Sequence, residues 1–238
     1  MSTVPARQRV PLSAPQALPE TSAVVWRPEG TAPTATVVLA PGAGTDITNP
    51  FLRGVGRGLA RQGNEVVIFN FPYAEVGRRR PDPPARLERA YRDVLAHLRP
   101  AERDGPTVIG GRSMGGRIAS HLAAEEAPCD GLLLLGYPLH PRRSVSERAS
   151  PPTRLRTGHW PRLRLPTLFV QGDRDALCDL ETFAAERAAH LDPRLTDVHV
   201  VAGADHGFEV RKRDERSAVE VQGEVVDVAA RWLTRLGA

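Results

Sequence analysis

The sequence predicts a doubly wound α/β domain, a mostly parallel sheet with helices on both faces. Short runs rich in aliphatic and β-branched residues alternate with longer stretches of helical periodicity. The short runs are continuously apolar, which is typical of strands buried on both faces. The chain of 238 residues is long enough for one large core, and no linker divides it. We expect a single domain over residues 22–238, preceded by a flexible arm at 1–21 that is rich in proline and alanine.

Seven strands and five helices follow from this alternation. The predicted strands are Ala23–Trp26, Thr36–Ala40, Glu65–Phe69, Thr107–Ile109, Leu132–Leu135, Thr167–Val170 and Val198–Val201. The predicted helices are Pro50–Gln62, Pro84–Leu98, Gly115–Ala127, Leu180–His190 and Ser217–Leu236. Because strands and helices take turns along the chain, parallel strand pairs joined by helical crossovers are expected.

One long segment interrupts the alternation. Residues 138–164 contain several prolines and many arginines but no clear periodicity. The segment follows the end of a predicted strand, at the edge where open α/β sheets place their ligand sites. A loop of this length is usually functional or disordered. We expect a short lid-like loop here, because the segment is too small to fold as a cap domain.

Composition and charge exclude several classes of protein. The 32 basic residues are all arginine except Lys212, but 28 acidic residues are interspersed and the net charge is only +4. No nucleic-acid-binding motif accompanies the arginines, so no nucleic-acid partner is expected. No apolar run approaches the ~18 residues of a membrane span, and the start of the chain lacks the apolar segment of a secretory signal. Cys129 and Cys178 fit neither a disulfide framework nor a metal site, which favours a cytoplasmic protein without a metal.

Cofactor-binding motifs are also missing. The glycines at 54, 56 and 58 lie within a predicted helix rather than directly after a strand, so they are not a dinucleotide-binding fingerprint. A phosphate-binding NTPase loop is absent as well. We therefore expect no cofactor, and the sequence does not indicate an oligomeric state.

A Gly-x-Ser-x-Gly motif at residues 111–115 lies between a predicted strand and a predicted helix. The serine of such an elbow occupies a strained turn, and glycines two residues away avoid steric collision. The turn exposes the hydroxyl and directs a helix N-terminus at the reacting centre. The motif predicts Ser113 as a nucleophile. The alternative is a glycine-rich turn that only packs tightly.

A serine hydroxyl needs a general base, and in this fold class the acid and then the histidine follow the serine along the chain. The loop after the sixth predicted strand offers two carboxylates, Asp173 and Asp175. Asp175 is favoured because it stands three residues after Gly172, the usual position for reaching the histidine. Asp173 remains the alternative, although an aspartate there is well suited to shaping the turn.

Of the seven histidines, His206 is the predicted base. It follows the last predicted strand and precedes the final helix, where the base belongs, and Asp175 would fix its tautomer. Its neighbour Asp205 is expected to make a loop hydrogen bond. His140 and His159 lie in the long loop and are candidate substrate contacts. The others fall in predicted helices or a strand and are expected to be packed or solvated: His97, His121, His190 and His199.

Acyl transfer also needs two donors for an oxyanion. The backbone N–H of Met114, at the start of the helix after the elbow, would supply one. The second is expected from the glycine-rich loop after the second predicted strand, where Ala43 N–H is the candidate and Pro41 has no N–H to offer. The alternative for this loop is an ordinary strand-to-helix turn.

Five motifs of this chain recur together in one known family. They are Leu-Ala-Pro-Gly-Ala-Gly at 39–44, Gly-Gly-Arg-Ser-Met-Gly-Gly-Arg at 110–117, Leu-Gly-Tyr-Pro-Leu-His at 135–140, Pro-Thr-Leu-Phe-Val-Gln-Gly at 166–172 and Asp-His at 205–206. On these motifs the chain, from about Ser22 onward, resembles the dienelactone-hydrolase-like branch of the α/β-hydrolases, which includes testis-expressed-30-like and NSL-complex-subunit-3-like proteins. The resemblance implies an α/β-hydrolase fold and a triad of Ser113, Asp175 and His206.

The chain departs from that family at two positions. Many relatives have histidine in place of Pro41, which affects the shape of the oxyanion loop. Dienelactone hydrolases use a cysteine nucleophile where this chain has Ser113, so lactone specificity is not carried over. Arg112 and Arg117 flank the predicted nucleophile and are suited either to a substrate carboxylate or to structural ion pairs, of which the ion pair is favoured.

The leading hypothesis is a serine hydrolase that cleaves a small ester or related acyl compound through an acyl-enzyme. A short lid offers little apolar surface to cover a long acyl tail, which disfavours a long-chain lipase. The alternative is a non-catalytic interaction module built on the same fold, as the resemblance to a chromatin-complex subunit suggests. A triad in the expected order favours the enzyme, since a scaffold has no physical need for all three side chains.

Overall fold

Eight strands form one sheet in the computed structural model, which describes residues 5–14, 16, 18–28, 31–98, 105–144 and 150–237. The strands are β1 (Ala6–Pro11), β2 (Glu20–Trp26), β3 (Thr36–Ala40), β4 (Glu65–Phe69), β5 (Thr107–Arg112), β6 (Gly131–Leu135), β7 (Thr167–Gly172) and β8 (Thr196–Val201). Their order is β1-β2-β4-β3-β5-β6-β7-β8. β2 runs antiparallel to β1 and β4, and all other neighbouring pairs are parallel.

Helices cover both faces of this sheet. They are α1 (Pro50–Arg61), α2 (Pro72–Glu75), α3 (Pro84–Leu98), α4 (Met114–Ala123), α5 (Leu180–His190) and α6 (Ala218–Leu236), with a short 3-10 helix at Trp160–Arg162. Side chains of α1 and α6 pack on one face, and side chains of α3, α4 and α5 pack on the other. The predicted doubly wound fold is confirmed, and the predicted strands and helices agree with the observed ones to within a few residues at most ends. Among the described residues, no helix is long and apolar enough to cross a membrane.

The N-terminal segment differs from the prediction. Residues 6–11, expected in a flexible arm, instead form β1 at the edge of the sheet and pair in register with β2. Val10 is buried in the core, while Arg9 forms ion pairs with Glu20 and Glu75. An edge strand exposes most of its side chains, so its sequence is polar and lacks the apolar run by which central strands are identified. Residues 1–4, 15 and 17 of the expected arm lie outside the described residues.

The predicted lid-like segment is anchored to the core. Trp160 is fully buried, and its ring lies 5.4 Å from the rings of Tyr137 and Phe169 and 5.8 Å from that of Phe183. Tyr137 Oη also donates a hydrogen bond of 2.6 Å to the carbonyl of Arg156. The described second half of the segment therefore packs beside the sheet rather than standing above it. Residues 145–149 lie outside the described residues.

Candidate active site

The serine of the Gly-x-Ser-x-Gly motif occupies a strained turn between β5 and α4. Ser113 has φ +53° and ψ −117°, in the positive-φ region that side chains rarely adopt. A Cβ atom added at Gly111 or Gly115 would lie 2.2 Å or 2.1 Å from the carbonyl oxygen of Ala40, so both positions require glycine. A hydrogen bond of 2.9 Å from Ser113 N–H to the carbonyl of Leu135 holds the turn. The backbone thus fixes the serine at the end of the central strand.

Three loops bring Ser113, His206 and Asp175 together. His206 Nε2 lies 2.8 Å from Ser113 Oγ, and His206 Nδ1 lies 2.7 Å from Asp175 Oδ2. The carboxylate accepts from Nδ1–H, which leaves Nε2 free to accept the serine proton. The Asp175 side chain is fully buried, whereas 23% of the His206 side chain is exposed. The histidine therefore sits between a buried carboxylate and a partly exposed hydroxyl.

The two candidate carboxylates do different things. Asp175 also accepts from Gln171 Nε2 at 2.9 Å through Oδ2 and from Leu177 N–H at 2.7 Å through Oδ1. Asp173 instead accepts from Gly203 N–H at 2.8 Å and joins the turn after β7 to the turn after β8. Only Asp175 contacts the histidine, and Asp173 has the turn-shaping position expected for it.

Gln171 is a site residue that the sequence reasoning missed. It lies near the end of β7, is fully buried, and accepts from Tyr137 N–H at 2.8 Å while orienting Asp175. A buried glutamine in an apolar strand has to find partners, because an unpaired amide inside the protein is destabilising. A polar residue at the carboxyl end of an apolar strand is the signal that could have found it.

Arg112 joins the elbow to the histidine loop without an ion pair. Its Nη2 donates a long hydrogen bond of 3.4 Å to the carbonyl of His206, and its buried Nε has no partner. Among the described residues it pairs with no carboxylate, so the favoured ion pair is not formed. Burial lowers the pKa of the guanidinium, although Asp205 and Glu209 oppose that effect from a distance. Asp205 itself makes the expected loop hydrogen bond, accepting from Gly207 N–H at 2.7 Å.

The helix N-terminus beside the serine is uncapped. The Ser113 side chain stands at the N-cap position of α4 but makes no capping hydrogen bond, because its hydroxyl is directed to His206. Met114 N–H and Ala43 N–H donate to no protein acceptor in the part of the chain that the structure describes. The loop of Ala43 lies directly against the serine, since a Cβ at Gly42 would be 3.5 Å from Ser113 Cβ. Both predicted oxyanion donors are thus left without a protein partner.

A second residue that sequence reasoning missed is Tyr73, which holds this loop. Gly44 N–H donates to Tyr73 Oη at 3.2 Å, and Thr45 closes the turn by donating to the carbonyl of Gly42 through both its N–H and its hydroxyl. Tyr73 comes from α2 and is fully buried, and burial raises the pKa of its phenol. The phenol therefore stays protonated and supports the backbone of the loop.

The two histidines of the long segment are placed differently from His206. His140 Nδ1 donates to the carbonyl of Pro141 at 2.8 Å and its Nε2 accepts from Asp179 N–H at 3.2 Å, so both ring nitrogens have protein partners. His159 Nε2 is 2.8 Å from the Oγ of Ser120, a residue of α4. Burial and nearby positive charge lower the pKa of His159 to about 3, so it is neutral at pH 7.

No group of three or more histidine, cysteine, aspartate or glutamate side chains that could hold a metal occurs within the described ranges. Cys129 and Cys178 are free thiols, and burial raises the pKa of both, that of Cys129 to about 12. Neither thiol is therefore a thiolate at neutral pH.

Comparison with known proteins gives a family and a set of related folds. A family model described as an alpha/beta hydrolase domain matches residues 33–234. An α/β serine hydrolase homologue from Coxiella burnetii superposes with a TM-score of 0.68 at 19% identity over 96% of this chain and 98% of that one. An α/β serine hydrolase without a lid from Xanthomonas campestris superposes with a TM-score of 0.69 at 19% identity, over 98% of this chain and 96% of that one. A dienelactone hydrolase from Anabaena variabilis superposes with a TM-score of 0.68 at 20% identity, over 97% of this chain and 98% of that one.

Proposed function

This chain belongs to the α/β-hydrolase enzyme family, and from that premise we propose that it is a serine hydrolase of small esters or related acyl compounds. In this proposal Ser113 is the nucleophile, His206 the general base and acid, and Asp175 the group that holds the imidazole in its working tautomer. The single observation that carries the proposal is the placement of the His206 ring, 2.8 Å from Ser113 Oγ and 2.7 Å from Asp175 Oδ2.

The reaction begins when Ser113 Oγ attacks the ester carbonyl carbon and its proton passes to His206 Nε2. The carbonyl oxygen becomes an oxyanion, which accepts hydrogen bonds from Met114 N–H and Ala43 N–H. When the intermediate collapses, the protonated His206 gives its proton to the departing alkoxide and an acyl ester remains on Ser113. A water molecule then gives a proton to Nε2 as its oxygen adds to the acyl carbon. Collapse breaks the bond between that carbon and Ser113 Oγ, which takes the proton back from Nε2 as the acid is released.

The acyl group is small in this proposal because the described second half of the segment after β6 packs beside the sheet through Trp160. Of the three candidate substrate contacts, Arg112 retains a role, since its guanidinium lies next to Gly42 and has one protein acceptor. Both ring nitrogens of His140 have hydrogen-bond partners within the protein. His159 lines a cavity together with His121 and Arg162, and no residue of the triad lines that cavity. The two free cysteines support the proposal of a cytoplasmic location.

The proposal is tested by mixing the full chain rapidly with p-nitrophenyl acetate, butyrate and palmitate. We expect a burst of one p-nitrophenol per chain with the two short esters, followed by steady turnover, and no burst in Ser113→Ala. Palmitate should be the poorest substrate. A folded wild-type protein without burst or turnover on any ester would favour the interaction module, and faster cleavage of palmitate than of butyrate would contradict the small acyl group.

A further inference from the structure

A cavity whose lining does not include the Ser113 triad lies beside α4. Its volume is about 350 Å³, and it opens between α4 and the segment that ends in the 3-10 helix. The side chains that carry the argument are those of Arg117, His121, Glu125, Arg156, His159 and Arg162. Three of these six are arginines, which gives the cavity an excess of positive charge.

The hydrogen bonds of the three arginines go to neutral acceptors. Arg156 Nη1 donates to the carbonyl of Pro138 at 3.3 Å and Arg162 Nε donates to the carbonyl of Ala124 at 3.4 Å, both long hydrogen bonds to neutral acceptors. The buried Nε of Arg117 has no partner. Within the described residues, none of the three forms an ion pair with an acidic side chain.

The nearby carboxylates of Glu125 and Glu88 already have other partners. Glu125, at the rim of the cavity, pairs with Arg92, and Glu88 lies 2.8 Å from His121 Nδ1. Within the described part of the chain, Glu125 is thus the one carboxylate among the lining residues, against three arginines. Such an arrangement is unfavourable unless a ligand supplies the missing negative charge.

Two further observations show that the charges oppose one another. Burial lowers the pKa of Arg156, and the neighbouring Arg117 lowers it further. Arg117 also lies one turn into α4, whose first turn contains no acidic residue, so this cation faces the positive end of the helix dipole. An anion in the cavity would relieve both interactions.

The two imidazoles in the wall of the cavity are held by contacts within the protein. Ser120 Oγ donates to the carbonyl of Arg117 at 2.8 Å, so the 2.8 Å contact with His159 Nε2 is donated by the histidine. The His159 ring also packs edge-on against the His121 ring at 4.4 Å. The ring positions are thus set within the protein, and the arginine groups remain available to a ligand.

We propose that this cavity is a binding site for an oxyanion, the phosphate or carboxylate group of a small molecule, held by Arg117, Arg156 and Arg162. Guanidinium groups offer paired N–H donors that match the oxygens of both groups. The site does not depend on the proposed ester hydrolysis, because none of its residues belongs to the Ser113 triad. A binding measurement therefore tests the anion site independently of the proposed hydrolase activity.

The test is titration calorimetry of the full chain with inorganic phosphate and with acetate, each at constant ionic strength set with chloride. We expect saturable binding that weakens at least about tenfold in Arg117→Gln and in Arg156→Gln, because each loses charge-assisted hydrogen bonds. Arg57→Gln, on the exposed side of α1, is the matched control and should bind as wild type does. Tighter binding of phosphate assigns a phosphate-bearing ligand, and tighter binding of acetate assigns a carboxylate.

A second measurement needs no variant. In NMR spectra of the wild-type protein, added phosphate should shift the imidazole signals of His159 and His121 and leave that of His199, which pairs with Glu224 near α6, unchanged. Failure of both anions to saturate, equal affinity in wild type and Arg117→Gln, or equal shifts at all three histidines would overturn the site.

Discussion

Two serine–histidine pairs occur in this molecule at the same distance but in opposite surroundings. In each, a serine Oγ lies 2.8 Å from a histidine Nε2. Ser113 stands on a strained turn with φ +53° and is partly exposed, while Ser120 lies inside α4 and is fully buried. His206 is backed by the carboxylate of Asp175, whereas His159 is surrounded by His121 and arginines.

The direction of the proton differs as a result. At His206 the carboxylate holds the proton on Nδ1, so Nε2 accepts from Ser113 and can become a base. At His159 burial, together with the nearby positive charge, disfavours the imidazolium, so the ring is neutral at pH 7 and its Nε2–H donates to Ser120. A short serine–histidine distance therefore does not by itself make a nucleophile. Access, backbone conformation and a buried carboxylate decide it.

The largest expected difference between the pairs is in turnover. Replacing His206 by Ala should lower kcat by about 10⁶-fold, because the serine loses its base. Replacing His159 by Ala should change kcat by about tenfold or less, a barrier change of about 1.4 kcal/mol. Steady-state rates with p-nitrophenyl butyrate measure both. Losses of kcat of similar size in the two variants would contradict the assignment of His206, and not His159, as the base.

The next largest effect on turnover is expected from the Asp175 carboxylate. We expect Asp175→Asn to lower kcat by about 10⁴-fold, since an amide at that position favours the wrong imidazole tautomer. Asp173→Asn is the matched control two residues away and should keep most of the turnover, because Asp173 bonds to Gly203 and not to the histidine. A larger loss in Asp173→Asn than in Asp175→Asn would reverse the assignment of the acid.

The two serines should affect stability with opposite signs. Ser120→Ala leaves the His159 N–H without its buried acceptor and should lower the free energy of unfolding by about 1–3 kcal/mol. Ser113→Gly removes a side chain from a positive-φ position and should raise it by about 1 kcal/mol. Urea unfolding measures both changes. If Ser113→Gly proves less stable than wild type, the turn is not strained.

A separate expected effect is on the pH dependence of stability. The pKa of His159 falls from an ordinary 6.5 to about 3 on folding, so below pH 6.5 the unfolded chain binds a proton that the folded chain does not. Stability should therefore fall as the pH drops from 6.5 towards 3, and it is fully present above that window. His159→Gln should flatten this slope in urea titrations at pH 7, 5 and 4. An unchanged slope would show that the imidazole is not the group concerned.

The sequence predicts those parts of the site that depend on local backbone chemistry. The glycines around Ser113 predict a tight turn, and the loops of Asp175 and His206 follow later strands in the order that the fold requires. Gln171 escaped prediction because its partner Tyr137 N–H comes from the segment after β6, and Tyr73 because Gly44 comes near it only through the packing of α2.

The same reasoning explains the missed parts of the fold. β1 is polar because it is an edge strand, and a strand that exposes most of its side chains lacks the apolar run of a central one. The pairing of Ser120 with His159 joins a helix to an irregular segment 39 residues away, and no periodicity connects them. The triad was predicted from the order of its motifs along the chain, whereas contacts between residues that belong to no motif were not predicted.

The most direct test of the central distinction is to label the full chain with a fluorophosphonate probe and map the modified peptide by mass spectrometry. The wild-type protein should carry one adduct, on Ser113, and Ser113→Ala should carry none although Ser120 and His159 are intact. An adduct on Ser120, or a folded wild-type protein that takes up no label, would contradict the assignment of Ser113 as the nucleophile.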